Sequence, residues 1–286
     1  MSRIPRLPDG PLTRSAVQRF SLNQATTRHW PLPDLVAGSV DAGVTGVGLW
    51  REDIQAYGIQ KAAALVRDAG LAVTSLCRGG FFQEDGWEQE NKRAIDEAAI
   101  VGAPVLVLVS GGLPPGSRDL DAARAHVGEA IGALVPYALD AGVQLAIEAL
   151  HPMYASDRCV VSTLEQALDL AAPYPAEAVG VVIDTYHLWW DDAVWEQIAR
   201  AGHERRIAAF QVADWVTPLP AGVLLGRGLP GTGCVQLRRF REAVDAAGYT
   251  GPIEVEVFAE DVWSRPGRDV LEETLERYRE HVSPRQ

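Results

Sequence analysis

Eight short apolar runs punctuate this chain, and helical patterns fill the intervals between them. The runs are "RFSLNQA", "TGVGLW", "AVTSLC", "PVLVLVS", "VQLAIEAL", "AVGVVIDT", "IAAFQVAD" and "GPIEVEVF". The helical patterns include "GIQKAAALVRDAG", "ENKRAIDEAAIVGA", "DLDAARAHVGEAIGALVPYALDAG", "STLEQALDLAAP", "VQLRRFREAVDAAG" and "VLEETLERYREHV". Several of these end in Ala-Gly or Gly just before the next run, where a left-handed C-cap residue stands. Eight strand–helix units with short connections in 286 residues predict an α/β protein, a (β/α)8 TIM barrel. The expected organisation is a single domain over residues 1–286, with 1–16 as an N-terminal extension. A doubly wound open sheet is the alternative.

Charge and composition remove several classes of function. The formal net charge is −12, which argues against nucleic acid as the main partner, because a phosphate backbone is bound through Lys and Arg. No apolar stretch approaches the ~18 residues of a membrane span. The N-terminal stretch "MSRIPRLPDGPLTR" has no apolar core of the signal-peptide kind. Cys77, Cys159 and Cys234 are scattered and form no CxxC pair, so a zinc–thiolate site is not expected, and a reducing cytoplasm is. Gly226-Arg-Gly228-Leu-Pro-Gly231 spells GxGxxG, but a Pro-rich loop rather than a strand precedes it. That context does not suit a dinucleotide site. It reads as a loop.

Strand parity carries the functional argument. Alternate residues of a barrel strand point inward. In "VQLAIEAL", Val143, Leu145 and Ile147 fit the helix-packed side, which puts Gln144, Ala146 and Glu148 inside. The same rule sends Val182 and Asp184 inward on the sixth strand, Ala209 and Gln211 on the seventh, and Glu254 and Glu256 on the eighth. Four successive strands therefore end with Glu148, Asp184, Gln211 and Glu256 at the C-terminal end of the barrel, where such barrels keep their chemistry. Three carboxylates converging there repel one another unless something positive lies between them. A divalent cation meets that need, and the Gln211 amide oxygen completes an oxygen cage around it. An all-oxygen cage favours Mn²⁺ or Mg²⁺ over Zn²⁺. Glu254 lies one layer deeper and needs an interior partner.

At these residues the sequence resembles the xylose isomerase-like barrel superfamily of sugar isomerases and epimerases. The carriers are "LAIEALHP", "VVIDTYHLWWD", "IAAFQVAD", "GRGLPGTG" and "GYTGPIEVEVF", spread over almost the whole chain. The resemblance implies one divalent metal held by Glu148, Asp184, Gln211 and Glu256, with Glu148 and Glu256 as the catalytic acid/base pair. Most of that superfamily has His at the third position; members of the hydroxypyruvate isomerase type use Gln. Ketose 3-epimerases tend to carry a further Glu where this chain has Tyr154, and the apurinic endonucleases of the same fold use many more histidines.

The implied activity is isomerisation or epimerisation of a small sugar or sugar-derived hydroxy-carbonyl compound, by proton transfer through a metal-stabilised enediolate. A dehydratase of the inosose dehydratase type is the alternative, and a non-catalytic sugar-binding barrel is another. His187 (three residues after Asp184), Arg227, His151 and Arg158 are the expected substrate contacts, Arg158 for a carboxylate or phosphate. Trp50, Trp189 and Trp190 are candidate pocket walls, and Arg78 ends the third strand. The expected partner is a small carbohydrate; self-association is left open.

Overall fold

The structure is a computed structural model and describes residues 19–220 and 223–284. The N-terminal extension assigned to residues 1–16 lies outside the described residues. The eight apolar runs become eight parallel strands: β1 (Phe20–Asn23), β2 (Gly46–Trp50), β3 (Ala72–Gly80), β4 (Val105–Val109), β5 (Gln144–Glu148), β6 (Val179–Asp184), β7 (Ile207–Val212) and β8 (Ile253–Val255). Each pairs with its sequence neighbour, and β8 returns to pair with both β7 and β1, so the sheet closes into a barrel with no free edge. Strand β8 is shorter than its apolar run, and Glu256 stands just past its end.

Helices follow the strands as the patterns require, among them Trp87–Val101, Leu120–Ala141 and Leu237–Ala246. The two glycines that close the first two take left-handed backbone, Gly102 at φ 76° and Gly142 at φ 69°. A side chain at either would be strained, and glycine is not. Two further helices, Leu32–Asp41 and Val194–His203, complete the outer ring after β1 and β6.

The parity reading holds in three dimensions. Leu145, Ile147, Phe210, Val212, Ile253 and Val255 are buried between sheet and helices. Val105, Val107, Ala146, Val182, Ala209 and Cys77 form a separate small apolar cluster, with Trp50 packed against it. The outer layer supplies most of the apolar burial, at roughly 25 cal/mol per Å² removed from water. The smaller inner cluster leaves room for polar side chains. Among the described residues, no helix is long and apolar enough to cross a membrane.

Inside the barrel, Glu254 has found its partners. Asn23 Nδ2 donates to its Oε1 at 2.7 Å and Gln211 Nε2 at 2.9 Å; Thr74 Oγ1 donates to Oε2 at 2.6 Å, and Ser75 Oγ reaches both oxygens at 3.0 and 2.9 Å. A Cβ at residue 48 would lie 2.5 Å from this carboxyl, so Gly48 is what leaves it space.

The GxGxxG stretch is not a plain loop. Arg227–Gly228 pairs antiparallel with Asp214–Trp215 in a two-stranded ribbon beyond β7. Asp214 fixes it by accepting from the backbone N–H groups of Gly231 and Val235, each at 2.9 Å. The ribbon turns Arg227 into the mouth of the barrel.

Candidate active site

Glu148, Asp184, Gln211 and Glu256 meet at the C-terminal end of the barrel, and none is more than 6% exposed. Asp184 ends β6 and caps the short helix Thr185–Leu188, its Oδ1 accepting from the Tyr186 N–H at 2.8 Å. Its Oδ2 accepts from Arg227 Nη1 at 2.8 Å, and the same nitrogen lies 3.1 Å from Glu256 Oε2. Glu256 Oε1 is 3.8 Å from Cys77 Sγ. Gln211 has one satisfied end. Its Nε2 must face Glu254, because a carboxylate only accepts. That leaves Oε1 buried and without a partner, a state that costs on the order of 1–3 kcal/mol unless something fills it.

Among the described residues, Arg227 is the one cation in contact with the carboxylates. It is buried, with its guanidinium 4.8 Å from the Tyr186 ring centre and 5.1 Å from that of Phe258. Burial works against its charge, but Asp184, Glu256 and Glu148 outweigh this and hold its pKa above the ordinary value. Three ionised carboxylates against one guanidinium would leave two negative charges out of water. The site relieves this by retaining protons. Glu148 is raised well above the usual carboxylate range, first by burial and then by Asp184 and Glu256. Glu256 is pushed up to about 8 by burial, with Arg227 pulling the other way.

His187 lies in this cluster too. It is fully buried, its Nε2 is 3.0 Å from Arg227 Nη2 and 3.8 Å from Glu148 Oε1, and its Nδ1 accepts from the His151 N–H at 3.2 Å. Burial, then Arg227, drives its pKa well below the ordinary histidine value. It is neutral at pH 7, so its approach to Glu148 is not an ion pair.

The residues present fit a divalent cation. Two glutamates that hold protons a cation would displace, the orphaned Gln211 oxygen and a hard-oxygen donor set all suit one. Ligand atoms of Glu148, Asp184 and His187 lie within 4.8 Å of one another. That grouping overlaps the oxygen set in Glu148 and Asp184 and differs in offering an imidazole. His187 Nδ1 already accepts from the His151 N–H, so the neutral ring carries its proton on Nε2 and has no free lone pair there, whereas Gln211 Oε1 has no partner among the described residues.

The other sequence candidates fall around this centre. The His151 ring stacks on Trp215 at 4.9 Å and meets Trp190 at 5.6 Å, and burial lowers its pKa. Trp190 donates to the His187 carbonyl at 2.7 Å. Trp189 packs on Trp215 at 5.3 Å, and Trp50 on Phe258 at 5.4 Å. Tyr154 stands edge-on to His187 at 5.8 Å. Arg158 is half-buried in the loop after β5, its N–H bonded to the Tyr154 carbonyl at 2.9 Å. Sequence reading did not single out Cys77, Tyr186 or Phe258. A signal existed for the first. Ser75 and Cys77 stand two apart on β3, and they touch Glu254 and Glu256, two apart at the end of the barrel. Strand parity pairs those layers.

A closed eight-stranded parallel barrel with converging carboxylates at its C-terminal end defines a class of enzyme-bearing fold. The family model for the xylose isomerase-like TIM barrel matches residues 36–281, and the chain belongs to that family. A protein of Sinorhizobium meliloti 1021, SMc04130, has a crystal structure that superposes with a TM-score of 0.90 at 44% identity, covering 94% of this chain and 100% of that one. A 3-dehydroshikimate dehydratase of Pseudomonas aeruginosa is 29% identical over 273 residues, 88% of this chain and 41% of that protein. An inosose isomerase of Bacillus subtilis is 25% identical over 134 residues, 46% of each chain. The chain thus spans less than half the length of each of these two curated relatives.

Proposed function

We propose that this protein is a metal-dependent isomerase or epimerase of a small polyhydroxy carbonyl compound, acting by proton removal from the carbon next to the carbonyl. The observation that carries this reading is the pair Glu148 and Glu256. Both are buried at the mouth of the barrel and both are shifted toward holding a proton near neutral pH, as acid/base catalysis requires.

Glu148, Asp184, Gln211 and Glu256 would hold the ion. When bound, a Mn²⁺ or Mg²⁺ ion would supply positive charge beside the substrate carbonyl. One glutamate takes the proton from carbon and the other returns one. Return to the neighbouring carbon gives isomerisation, and return to the opposite face of the same carbon gives epimerisation. Arg227 holds Asp184 and Glu256 in place, and its Nε, buried with no partner, offers a donor to a substrate oxygen. Neutral His187 is placed to orient a second oxygen, backed by the His151 N–H. Trp50, Trp189, Trp190 and Trp215 exclude water. The three cysteines are free, which supports a reducing, cytoplasmic setting.

A second reading is elimination of water after the same proton abstraction. It is favoured by the likeness to a dehydratase over 88% of this chain, against 46% for the isomerase. One experiment separates the two. Purified protein is stripped of metal, reloaded with Mn²⁺ and assayed in D₂O against a panel of ketoses, inososes and hydroxy-keto acids, with products read by mass. Deuterium on carbon without loss of water supports the isomerase or epimerase. A product lighter by one water supports the dehydratase. Turnover that survives metal removal, or an isomerised or epimerised product without deuterium on carbon, removes the mechanism.

A further inference from the structure

Two arginines at the mouth of the barrel have no counter-charge in contact. Arg78 stands on β3 next to Cys77, whose Sγ is 3.8 Å from Glu256. Arg158 stands next to Cys159, whose Sγ is 3.5 Å from the Glu148 carbonyl. Each arginine is therefore one residue away from a side chain that touches one of the two catalytic candidates. Neither forms an ion pair among the described residues. Two other arginines near the barrel mouth do, Arg51 with Glu97 and Glu90, and Arg227 with Asp184 and Glu256.

Arg78 is held in place as a binding group would be. Its guanidinium lies 4.5 Å from the Phe81 ring centre and 5.9 Å from that of Trp50. Its carbonyl accepts from Arg51 Nη1 at 3.3 Å. Its Nε is buried and has no partner. A half-buried, stacked guanidinium with a buried, unused N–H is a ready donor to an oxyanion. Burial first, and Arg158 second, lower its pKa, while Glu52 and Glu148 pull the other way from beyond contact distance. The two arginines thus repel each other in a chain whose formal net charge is −12. Arg158 also acts on His187 and on Tyr154, whose carbonyl accepts from the Arg158 backbone N–H. Trp50 packs on Phe258, which in turn packs beneath Arg227. A continuous wall of side chains therefore runs from Arg78 to the carboxylate cluster.

We propose that Arg78 and Arg158 form a subsite for an oxyanion group, carboxylate or phosphate, at one end of the substrate. The proposal rests on the active-site reading above and narrows it: the substrate is an acidic hydroxy-carbonyl compound and not a neutral sugar. The substrate reaches from the carboxylate cluster along the Trp50 and Phe258 rings, and its anionic end settles between the two guanidinium groups. Such an anion removes the repulsion between them and uses the Arg78 Nε. A neutral polyol can do neither.

The test compares three probes on one carbon skeleton: D-glucitol (neutral), D-gluconate (carboxylate) and D-glucitol 6-phosphate. Binding to the Mn²⁺-loaded protein is measured by calorimetry for wild type, Arg78→Met, Arg158→Met and Glu256→Gln. At least one anionic probe is expected to bind wild type about tenfold or more tightly than glucitol. Each Met variant should lose most of that advantage and leave glucitol binding unchanged. Preference for gluconate assigns a carboxylate, and preference for the phosphate ester assigns a phosphate. Arg158 lies on a loop, so its variant keeps the test open if Arg78→Met does not fold. Equal binding of all three probes, no binding of either anion, or anion binding unaffected by both Met variants overturns the subsite. Glu256→Gln separates the two claims. If the active-site reading is wrong and the subsite right, this variant still turns over substrate and the arginine-dependent binding remains.

Discussion

Glu254 and Glu256 are two residues apart, both buried and both directed into the barrel, yet they sit in opposite chemical settings. Glu254 is surrounded by four neutral donors, Asn23, Thr74, Ser75 and Gln211, which between them serve both carboxyl oxygens. Glu256 has a thiol at 3.8 Å, one guanidinium shared with Asp184, and Asp184 and Glu148 as acidic neighbours. The lower layer is a finished hydrogen-bond network that ties β1, β3, β7 and β8 together. The upper layer is unfinished: it has three carboxyl groups against one guanidinium, an orphaned Gln211 oxygen and retained protons. Gln211 belongs to both, its nitrogen in the first and its oxygen in the second. A buried carboxylate is structural when neutral donors saturate it, and available for chemistry when they do not.

The largest expected effect breaks the upper layer alone. Glu148→Gln or Glu256→Gln should each lower kcat by about 10³-fold or more, with an unchanged circular dichroism spectrum. An amide keeps the shape and cannot carry the proton. Near-normal turnover in either folded variant removes that residue from the mechanism.

The converse substitution breaks the lower layer. Glu254→Ala strands three buried donors, Asn23, Ser75 and Gln211, beside the half-buried Thr74, and should destabilise the protein by roughly 3 kcal/mol or more, since each stranded buried group costs about 1–3 kcal/mol. In urea titration of the metal-free protein, Glu256→Gln should cost far less, because it removes a group already crowded by like charge. Equal losses would mean that the two layers are not different in kind.

How far the sequence exposes this contrast depends on the range of the interactions. The barrel and the inward set Glu148, Asp184 and Gln211 follow from period-two alternation, a local property that needs no knowledge of neighbours. The partners of Glu254 do not follow, because Asn23, Thr74 and Ser75 come from strands about 180 to 230 residues away in the chain and look like any polar strand residue. Arg227 was visible as a loop arginine. Its double contact with Asp184 and Glu256 depends on the Asp214–Trp215 ribbon, which is two residues long per strand and leaves no periodicity to read. The stacking of Arg78 does not follow from the pattern because β3 changes register between Cys77 and Gly79, where strict alternation stops being a guide.

pH should sharpen the comparison more gently. In the metal-free protein Glu256 rises from 4.5 to about 8, so the folded state keeps a proton that the unfolded chain has released. Its contribution to stability is complete below about pH 4.5 and is lost as pH rises through about 8. Urea titrations at pH 6 and pH 9 should show that fall in wild type and a weaker one in Glu256→Gln. A metal must displace the same protons, so Mn²⁺ affinity should rise over this range.

The smallest effect concerns the shared residue. Gln211→His replaces the hard oxygen with an imidazole and should raise activity with Zn²⁺ relative to Mn²⁺. Zn²⁺ as the best activator of the wild type, with no change on substitution, would mean that Gln211 does not set the metal.

Anomalous diffraction from crystals grown with Mn²⁺ tests the account most directly. The account predicts one strong peak among Glu148, Asp184, Glu256 and the Gln211 oxygen, with the Gln211 nitrogen still on Glu254. A peak held by Glu148, Asp184 and His187 with Gln211 turned away, or no peak at all while Arg227 keeps its place between Asp184 and Glu256, would contradict it.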